Sequence, residues 1–459
     1  MSELPGYRGE AKEKLESLGA RVWARVEIQT VKGDFTGIIL PRSEQADEHH
    51  VVLKLNTGYN IGIAVSNITS LRELGYRQAK YKIPEQEFPF DEKKPNVTLL
   101  GTGGTIASRL DYRTGAVIPA FSPGELYGAV PELADICNLK TEKLFGVFSE
   151  NMSWEQYKIL AEAIGREVAQ GAAGIVVGHG TDTMHHTAAA LSFMVQNSPV
   201  PIIMVGSQRS SDRPSSDAAF NLRCACNAAA HGPIAETMVC MFGPTSDSYN
   251  LLHRGTRVRK MHSSYRSTFR TLSDIPVAMC TPEKVSPIKK VFKRRRGDRN
   301  ITIDAVYDDR VTIVYYYPGM KPDIIDSLVE RGYKGIIIAG TGLGHVNKPL
   351  YEPLTRAVKA GVHVYMTVQT LWGFVQMYVY DTGRDLLEMG VIPADNMTPE
   401  SAYIKLGWAL GHSHDRDEVK KLMLTPVNDE ITEREPPDGY LVFQGGLPEI
   451  EEFLGKHIK

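Results

Sequence analysis

The sequence predicts an α/β protein with mainly parallel sheets, preceded by a small N-terminal β-barrel module. Three observations carry this reading. Apolar strand-like runs alternate with helical patterns from Asn96 onward, short alternating strands crowd residues 20–72, and 41 glycines are spread along the chain. Strands that alternate with helices pack as parallel sheets covered by those helices. Several short antiparallel strands close most readily into a small barrel. Glycine weakens helix interiors, so its abundance disfavours a helical bundle and suits turns and ligand loops.

In the module, Val22, Ala24, Val26 and Ile28 alternate with polar residues, the period of a half-buried strand. Lys32-Gly33-Asp34 is a turn signal, and Phe35 to Leu40 reads as the next strand. Val51 to Leu55 and Asn60 to Val65 make two more strands around Asn56-Thr57-Gly58. Residues 1–80 are assigned to this module. Residues 81–95, with Pro84, Pro89 and Pro95 among many charges, read as a linker.

Val97 to Leu100 then reads as a buried strand running into a Gly-rich turn. Ser153 and Gln156 form a capping box ahead of Trp154, Tyr157, Leu160, Ile164 and Val168, which lie at helical spacing. Gly174 to Val177, Pro201 to Val205 and Met238 to Phe242 are strands, with helices from about Met184 and over Asp217 to Ala230. Residues 96–295 are assigned to a first, larger α/β domain. Residues 296–459 make a smaller α/β domain, with strands at Val311 to Tyr316, Gly335 to Ala339 and Val362 to Val368. Its helices are expected near Ile324 to Val329 and Leu350 to Val358, and a late helix starts at Thr398-Pro399, an N-cap followed by proline. Tyr315-Tyr316-Tyr317 is expected to pack a strand in the core, because aromatics favour strands.

The 459 residues suggest about three domains. With 42% hydrophobic and 23% charged residues the chain is an ordinary folded protein rather than a disordered or fibrous one. Lys plus Arg number 52 against 54 Asp plus Glu, a net charge of -2, which excludes a strongly basic nucleic-acid coat. No apolar run approaches the ~18 residues of a membrane span. Residues 1–19 lack the apolar centre of a signal peptide, so a cytoplasmic location is expected. Five cysteines over this length read as buried thiols in a reducing compartment, Cys224 and Cys226 included.

Ligands of open α/β sheets bind beyond the carboxyl ends of strands. Two such ends are unusual here: Gly101-Thr102-Gly103-Gly104-Thr105-Ile106-Ala107-Ser108 and Gly178-His179-Gly180-Thr181-Asp182-Thr183. The first is not a dinucleotide loop, since Ile106 occupies the third glycine position, and no Gly-Lys-Ser/Thr follows for a phosphate loop. Each loop alone could be a tight turn with a capping threonine. Together they offer Thr105 and Thr181 as candidate nucleophiles, with Asp182 and a lysine as candidate bases. His179 is more readily a hydrogen-bonded turn residue, and His185-His186 point apart on a helix and make a poor metal pair. No metal site is expected.

Thr102 to Ser108 and His179 to Thr183 resemble the two signature motifs of the bacterial-type L-asparaginase/glutaminase family. Phe148 to Met152, Val205 to Arg209 and Asp217 to Leu222 resemble further parts of it. The resemblance implies a two-domain asparaginase-like α/β fold and a threonine amidohydrolase. It implies Thr105 as first-loop nucleophile, Thr181 as second catalytic threonine with Asp182 beside it, and Lys260 completing a Thr-Lys-Asp relay. It further implies Ser149 and Asp182 as holders of the substrate's carboxylate and amino groups, and Tyr112 as a mobile-loop tyrosine. A threonine hydroxyl needs a neighbouring base, and an adjacent carboxylate favours the ammonium form of a lysine. Asp182 is therefore read as orienting group and ammonium holder, with proton flow through Thr181 and Lys260. Backbone N–H groups of the Gly-rich loops would hold the oxyanion, and hydrolysis would run through an acyl-threonine that releases ammonia first.

The extra N-terminal module, with Gln369 to Gly373 and Val379 to Arg384, is similar to the D-subunit family of archaeal-type glutamyl-tRNA(Gln) amidotransferases. That resemblance implies ammonia release from glutamine or asparagine for a partner E subunit. The E subunit would use ATP and Mg to phosphorylate Glu-tRNA(Gln) and capture the ammonia. It also implies a homodimer within a heterodimer of dimers, tRNA held mostly by the partner, and no cofactor on this chain. A free-standing cytoplasmic L-asparaginase is the alternative, and a scaffold on a retired fold a third reading, disfavoured by the intact threonine loops. The basic stretch Lys289 to Arg299 is open to two readings, a solvated loop or a contact with tRNA or the E subunit.

Overall fold

The structure, a computed structural model, describes residues 4–42, 46–56, 60–76, 90–103, 108–110, 117–119, 130–209, 216–436 and 439–440. The chain divides into two compact units, residues 1–85 with 108–118, and residues 86–107 with 119–459.

The first unit is an antiparallel module. Strands β1 (Ala24–Thr30), β2 (Gly33–Ile39), β3 (His50–Leu55), β4 (Asn60–Ala64) and β5 (Ile68–Tyr76) form one sheet in the order β4-β3-β2-β1-β5. The alternation read from the sequence is real: Ala24, Val26 and Ile28 are buried. Gly33 opens β2 at φ +130°, a backbone that favours glycine after the turn. A helix that the sequence reading did not place, α1 (Gly9–Ser17), covers the core with Ala11 and Leu15, one turn apart on one face.

The second unit contains a sheet of eight strands. They are β6 (Asn96–Gly101), β7 (Asn138–Lys143), β8 (Gly174–Gly178), β9 (Ile202–Val205), β10 (Thr237–Phe242) and β11 (Asn250–Arg254), then, beyond the ribbon strands β12 (Val258–Lys260) and β13 (Phe269–Thr271), β14 (Ala278–Cys280) and β15 (Val285–Pro287). The sheet order is β15-β14-β11-β10-β9-β8-β6-β7. From β7 to β10 it is parallel, and the pairs from β10 to β15 are antiparallel. Its parallel centre carries apolar side chains on both faces, which suits strands covered by helices on each side. Helices α2 (Trp154–Ala169) and α3 (Met184–Met194) pack in one layer of the core and α4 (Ala218–His231) in the other. The capping box at Ser153 is formed, the Ser153 N–H donating to Gln156 Oε1 at 2.9 Å.

The smaller domain has a parallel sheet β16 (Val311–Tyr315), β17 (Gly335–Gly340), β18 (His363–Val368) and β19 (Ile392–Pro393). Helices α5 (Asp323–Glu330), α6 (Tyr351–Lys359), α7 (Asp381–Glu388), α8 (Pro399–His412) and α9 (Arg416–Leu424) accompany it. Thr398 caps α8 by accepting from the Ser401 N–H at 3.2 Å.

Two expectations change. Tyr315, the last residue of β16, is 42% exposed, and Tyr317 lies past the strand's end and is exposed; only Tyr316 packs partly into the domain core. The basic stretch is not simply a solvated loop. Arg295 donates to the carbonyls of Gly232 (3.0 Å), Ala230 (2.9 Å) and Ala229 (2.5 Å) at the end of α4. Unpaired carbonyls at a helix C-terminus attract a cation. Arg296 donates to the Asn197 carbonyl and Lys289 pairs with Asp274, whereas Arg294 is exposed beside the Phe292 ring. All five cysteines are free and buried.

Candidate active site

The site lies where parallel strands β6 and β8 end. The Thr102 N–H donates to the Gly178 carbonyl at 3.1 Å, and Thr102 Oγ1 donates to the same oxygen at 2.9 Å. The Val147 N–H donates to the Thr102 carbonyl at 3.1 Å, which brings the loop carrying Ser149 alongside. Gly103 is at φ +119°, and a Cβ there would stand 2.3 Å from the Val147 carbonyl oxygen, so the first loop turns this tightly only with glycine.

The second loop leaves β8 directly. His179 is wholly buried, with Nδ1 2.7 Å from the Gly180 carbonyl and Nε2 2.9 Å from Thr187 Oγ1. Burial holds its pKa down at about 4, so it stays neutral near pH 7 and serves the loop's structure. Gly180 lies against Ser149: a Cβ there would come within 2.8 Å of the Ser149 Cβ. Ser149 is buried, and its carbonyl accepts from Thr183 Oγ1 at 2.5 Å.

Lys260 ends β12, whose ladder partner is β13. Its Nζ donates to Thr181 Oγ1 at 2.9 Å and to Asp182 Oδ1 at 2.6 Å. Thr181 is buried, the Lys260 side chain is 9% exposed and the Asp182 side chain is 69% exposed. The amine thus sits inside, between an enclosed hydroxyl and an outward-facing carboxylate. Such an array can pass a proton from a hydroxyl and present a carboxylate to an incoming ammonium.

The structure therefore brings together Thr181, Asp182 and Lys260, and sets Ser149 against the same loop. Thr105 and Tyr112 lie outside the described residues. Among the described residues no group of His, Cys, Asp and Glu is placed to hold a metal, and no helix is long and apolar enough to cross a membrane. His185 is buried and His186 half-buried, each with its pKa lowered, chiefly by desolvation. Behind Ser149 and Thr183 lies a cavity of about 360 Å³, bordered also by Tyr157, His186, Ile313 and Tyr403. Sequence reasoning missed Arg257, Arg259 and Glu400, which surround the Lys260 strand. The two arginines showed only as an Arg-x-Arg-Lys run without a visible partner, and Glu400 carried no signal of its own.

Comparison with known proteins gives the family. Residues 96–292 match the family described as asparaginase, N-terminal. Residues 310–423 match the glutaminase/asparaginase C-terminal domain, and residues 20–73 the GatD N-terminal domain. The D subunit of the glutamyl-tRNA(Gln) amidotransferase from Pyrococcus furiosus is 46% identical over 439 residues, 94% of this chain and 99% of the relative. That of Thermofilum pendens is 44% identical over 95% of this chain and 98% of its own length. Among solved structures, the thermostable L-asparaginase from Thermococcus kodakarensis superposes with TM-score 0.64 at 32% identity, covering 73% of this chain and 99% of its own. L-asparaginase I from Vibrio cholerae gives TM-score 0.65 at 27% identity, covering 74% of this chain and 99% of its own.

Proposed function

The chain belongs to the family of glutamyl-tRNA(Gln) amidotransferase D subunits built on an asparaginase core, and from that premise we propose how its residues release ammonia. The observation that carries the reading is Lys260 Nζ held at once by Thr181 Oγ1 and Asp182 Oδ1. Thr105 Oγ adds to the side-chain amide carbon of glutamine or asparagine. Its proton passes to Thr181 as the Thr181 proton passes on to the Lys260 amine. Backbone N–H groups of the two Gly-rich loops receive the oxyanion, where fixed donors act most strongly. Collapse breaks the C–N bond, the relay returns its proton to the leaving nitrogen, and ammonia departs. Water then hydrolyses the acyl-threonine ester to the free acid and restores Thr105. Asp182, facing outward, takes the substrate ammonium, Ser149 the carboxylate, and Tyr112 assists Thr105.

Within this family the chain works with a partner subunit. We infer that this E subunit uses ATP and Mg to phosphorylate Glu-tRNA(Gln) and consumes the ammonia, that it holds most of the tRNA, and that the present chain forms a homodimer in the cytoplasm. The test is ammonia release from glutamine by the chain alone, with the E subunit, and with the E subunit, ATP and Glu-tRNA(Gln). Release should rise on the full addition. A rate indifferent to all three additions would favour a free-standing asparaginase instead.

A further inference from the structure

Strand β12, which carries Lys260, is three residues long and pairs in a two-stranded ribbon with β13 rather than in the main sheet. A ribbon of this size has little stability of its own. Val258 and Phe269 pack it into the core against α3 and β11, and its polar ties come from the smaller domain and from residues beyond it. Arg257, 0% exposed, donates Nε to the Asp429 carbonyl (2.8 Å), Nη1 to the Asn396 carbonyl (2.7 Å) and Nη2 to Asn396 Oδ1 (3.0 Å). Arg259, immediately before Lys260, pairs through Nη1 with Glu400 Oε1 at 3.2 Å, where the Tyr315 hydroxyl also donates. Thr256 Oγ1 donates to the Asn428 carbonyl at 2.7 Å, and the Thr256 carbonyl accepts from Ser401 Oγ at 2.6 Å.

The turn that receives Arg257 is itself locked. Glu430 accepts from the N–H groups of Val427 (2.9 Å) and Asn428 (2.8 Å) and pairs with Lys405 Nζ at 2.5 Å, both side chains wholly buried. Asp429 sits at φ +55°, in the left-handed region that Asp tolerates better than most residues. Its carboxylate pairs with Arg254 at 2.6 Å while its carbonyl faces Arg257. These residues follow the end of the C-terminal asparaginase domain at residue 423. A buried guanidinium hydrogen-bonded to neutral carbonyls is costly to desolvate, and what it supplies in return is direction: its planar fork fixes register as an apolar contact cannot.

We propose that Arg257 and Arg259 are positioning residues that set the amine of Lys260 by clamping its strand to residues 396–400 and to the turn at 428–430. The proposal rests on the assignment of Lys260 to the relay. A catalytic group displaced by about 1 Å loses turnover while substrate contacts persist.

The test uses the full chain with its E subunit and reads kcat and KM for glutamine-dependent ammonia release, together with Tm. Arg257→Lys keeps the charge and loses the fork. It should lower kcat roughly 10- to 100-fold with little change in KM. Arg259→Met should lower kcat in the same way, and Arg259→Lys, which can still reach Glu400, should recover most of it. Leu386→Ala, in the core of the smaller domain away from the site, supplies a variant with reduced Tm and intact clamps. If the Arg257 and Arg259 variants lose no more kcat than Leu386→Ala, the clamp is refuted. If Arg257→Lys fails to fold, the Arg259 pair decides by the same criterion. Lys260→Met separates the two ideas: full ammonia release in that variant removes the relay and the clamp together. Its inactivity beside unaffected arginine variants removes the clamp alone.

Discussion

At the scale of single residues, the site is a division of labour by exposure. Lys260 and Thr181 are enclosed and Asp182 faces out, so the first two should govern the chemical step and the third binding. Thr181→Val and Lys260→Met are each expected to lower kcat for ammonia release on the order of 10³-fold or more, since residues acting as one unit fail together. Asp182→Asn should raise KM more than it lowers kcat, as measured with glutamine under steady state. The buried histidines make a second prediction. Burial depresses the pKa of His179 to about 4 and that of His253 to about 3, from an ordinary 6.5. The unfolded chain therefore binds protons that the folded chain refuses once pH falls below 6.5. Their stabilising contribution is complete above pH 6.5 and is lost as pH falls toward 4 and then 3. For His179 the loss is roughly 3 kcal/mol at about 1.4 kcal/mol per pKa unit. Urea midpoints measured from pH 7 to pH 4 should fall, and His179→Gln should flatten that slope; an unchanged slope would sink the assignment.

At the scale of elements, the stretch from Lys289 to Arg299 shows how a run of charge acquires its meaning. A plain alanine scan of Arg294, Arg295 and Arg296 would confuse two roles. Arg295 holds three carbonyls at the end of α4, and Arg295→Ala should cost roughly 2–3 kcal/mol, the range for hydrogen bonds to a charged group. Arg294→Ala, at an exposed position, should change stability by less than ~0.5 kcal/mol and is the clean probe of a tRNA or partner contact. Thermal melts of the two variants check this directly. The buried Lys405–Glu430 pair joins α8 to the segment after α9. Glu430→Ala strands a buried ammonium and should cost about 3–5 kcal/mol. Joint replacement by Met and Leu should restore much of that, as read from denaturant midpoints. Most elements were legible in the chain because their signals are local. The Ser153–Gln156 box, the Thr398-Pro399 start and the all-apolar strands at Gly174 and Gly335 each declare themselves within a few residues. Helix α1 was missed because only Ala11 and Leu15 of its charged sequence face the core, and the tyrosine run because nothing local says where β16 ends.

At the scale of the whole molecule, the solved asparaginases cover about three quarters of the chain, and the matched N-terminal domain at residues 20–73 lies in addition to an asparaginase core. With a net charge of -2, the chain by itself should add little to counterion release on tRNA binding. In the complex with its partner, Arg294→Ala should change the slope of log affinity against log salt by no more than about one unit, the share of a single phosphate contact. Filter binding across a salt series measures it.

The sequence by itself determined the family, the order of domains and the two threonine loops. All of these are written in short stretches whose glycines and hydroxyls have few alternative uses. It determined Lys260 only through resemblance, since 78 residues separate that lysine from Asp182 and no local pattern joins them. Only the tertiary structure decided that Lys260 meets Thr181 and Asp182, and that Arg257 and Arg259 tie its strand to residues from 396 to 430. It also decided that Arg295 of the basic stretch closes the C-terminal end of α4. The reason is physical: a hydrogen bond between distant segments depends on where the packed sheets place two backbones, and that is settled by the core as a whole rather than by the residues that make the bond.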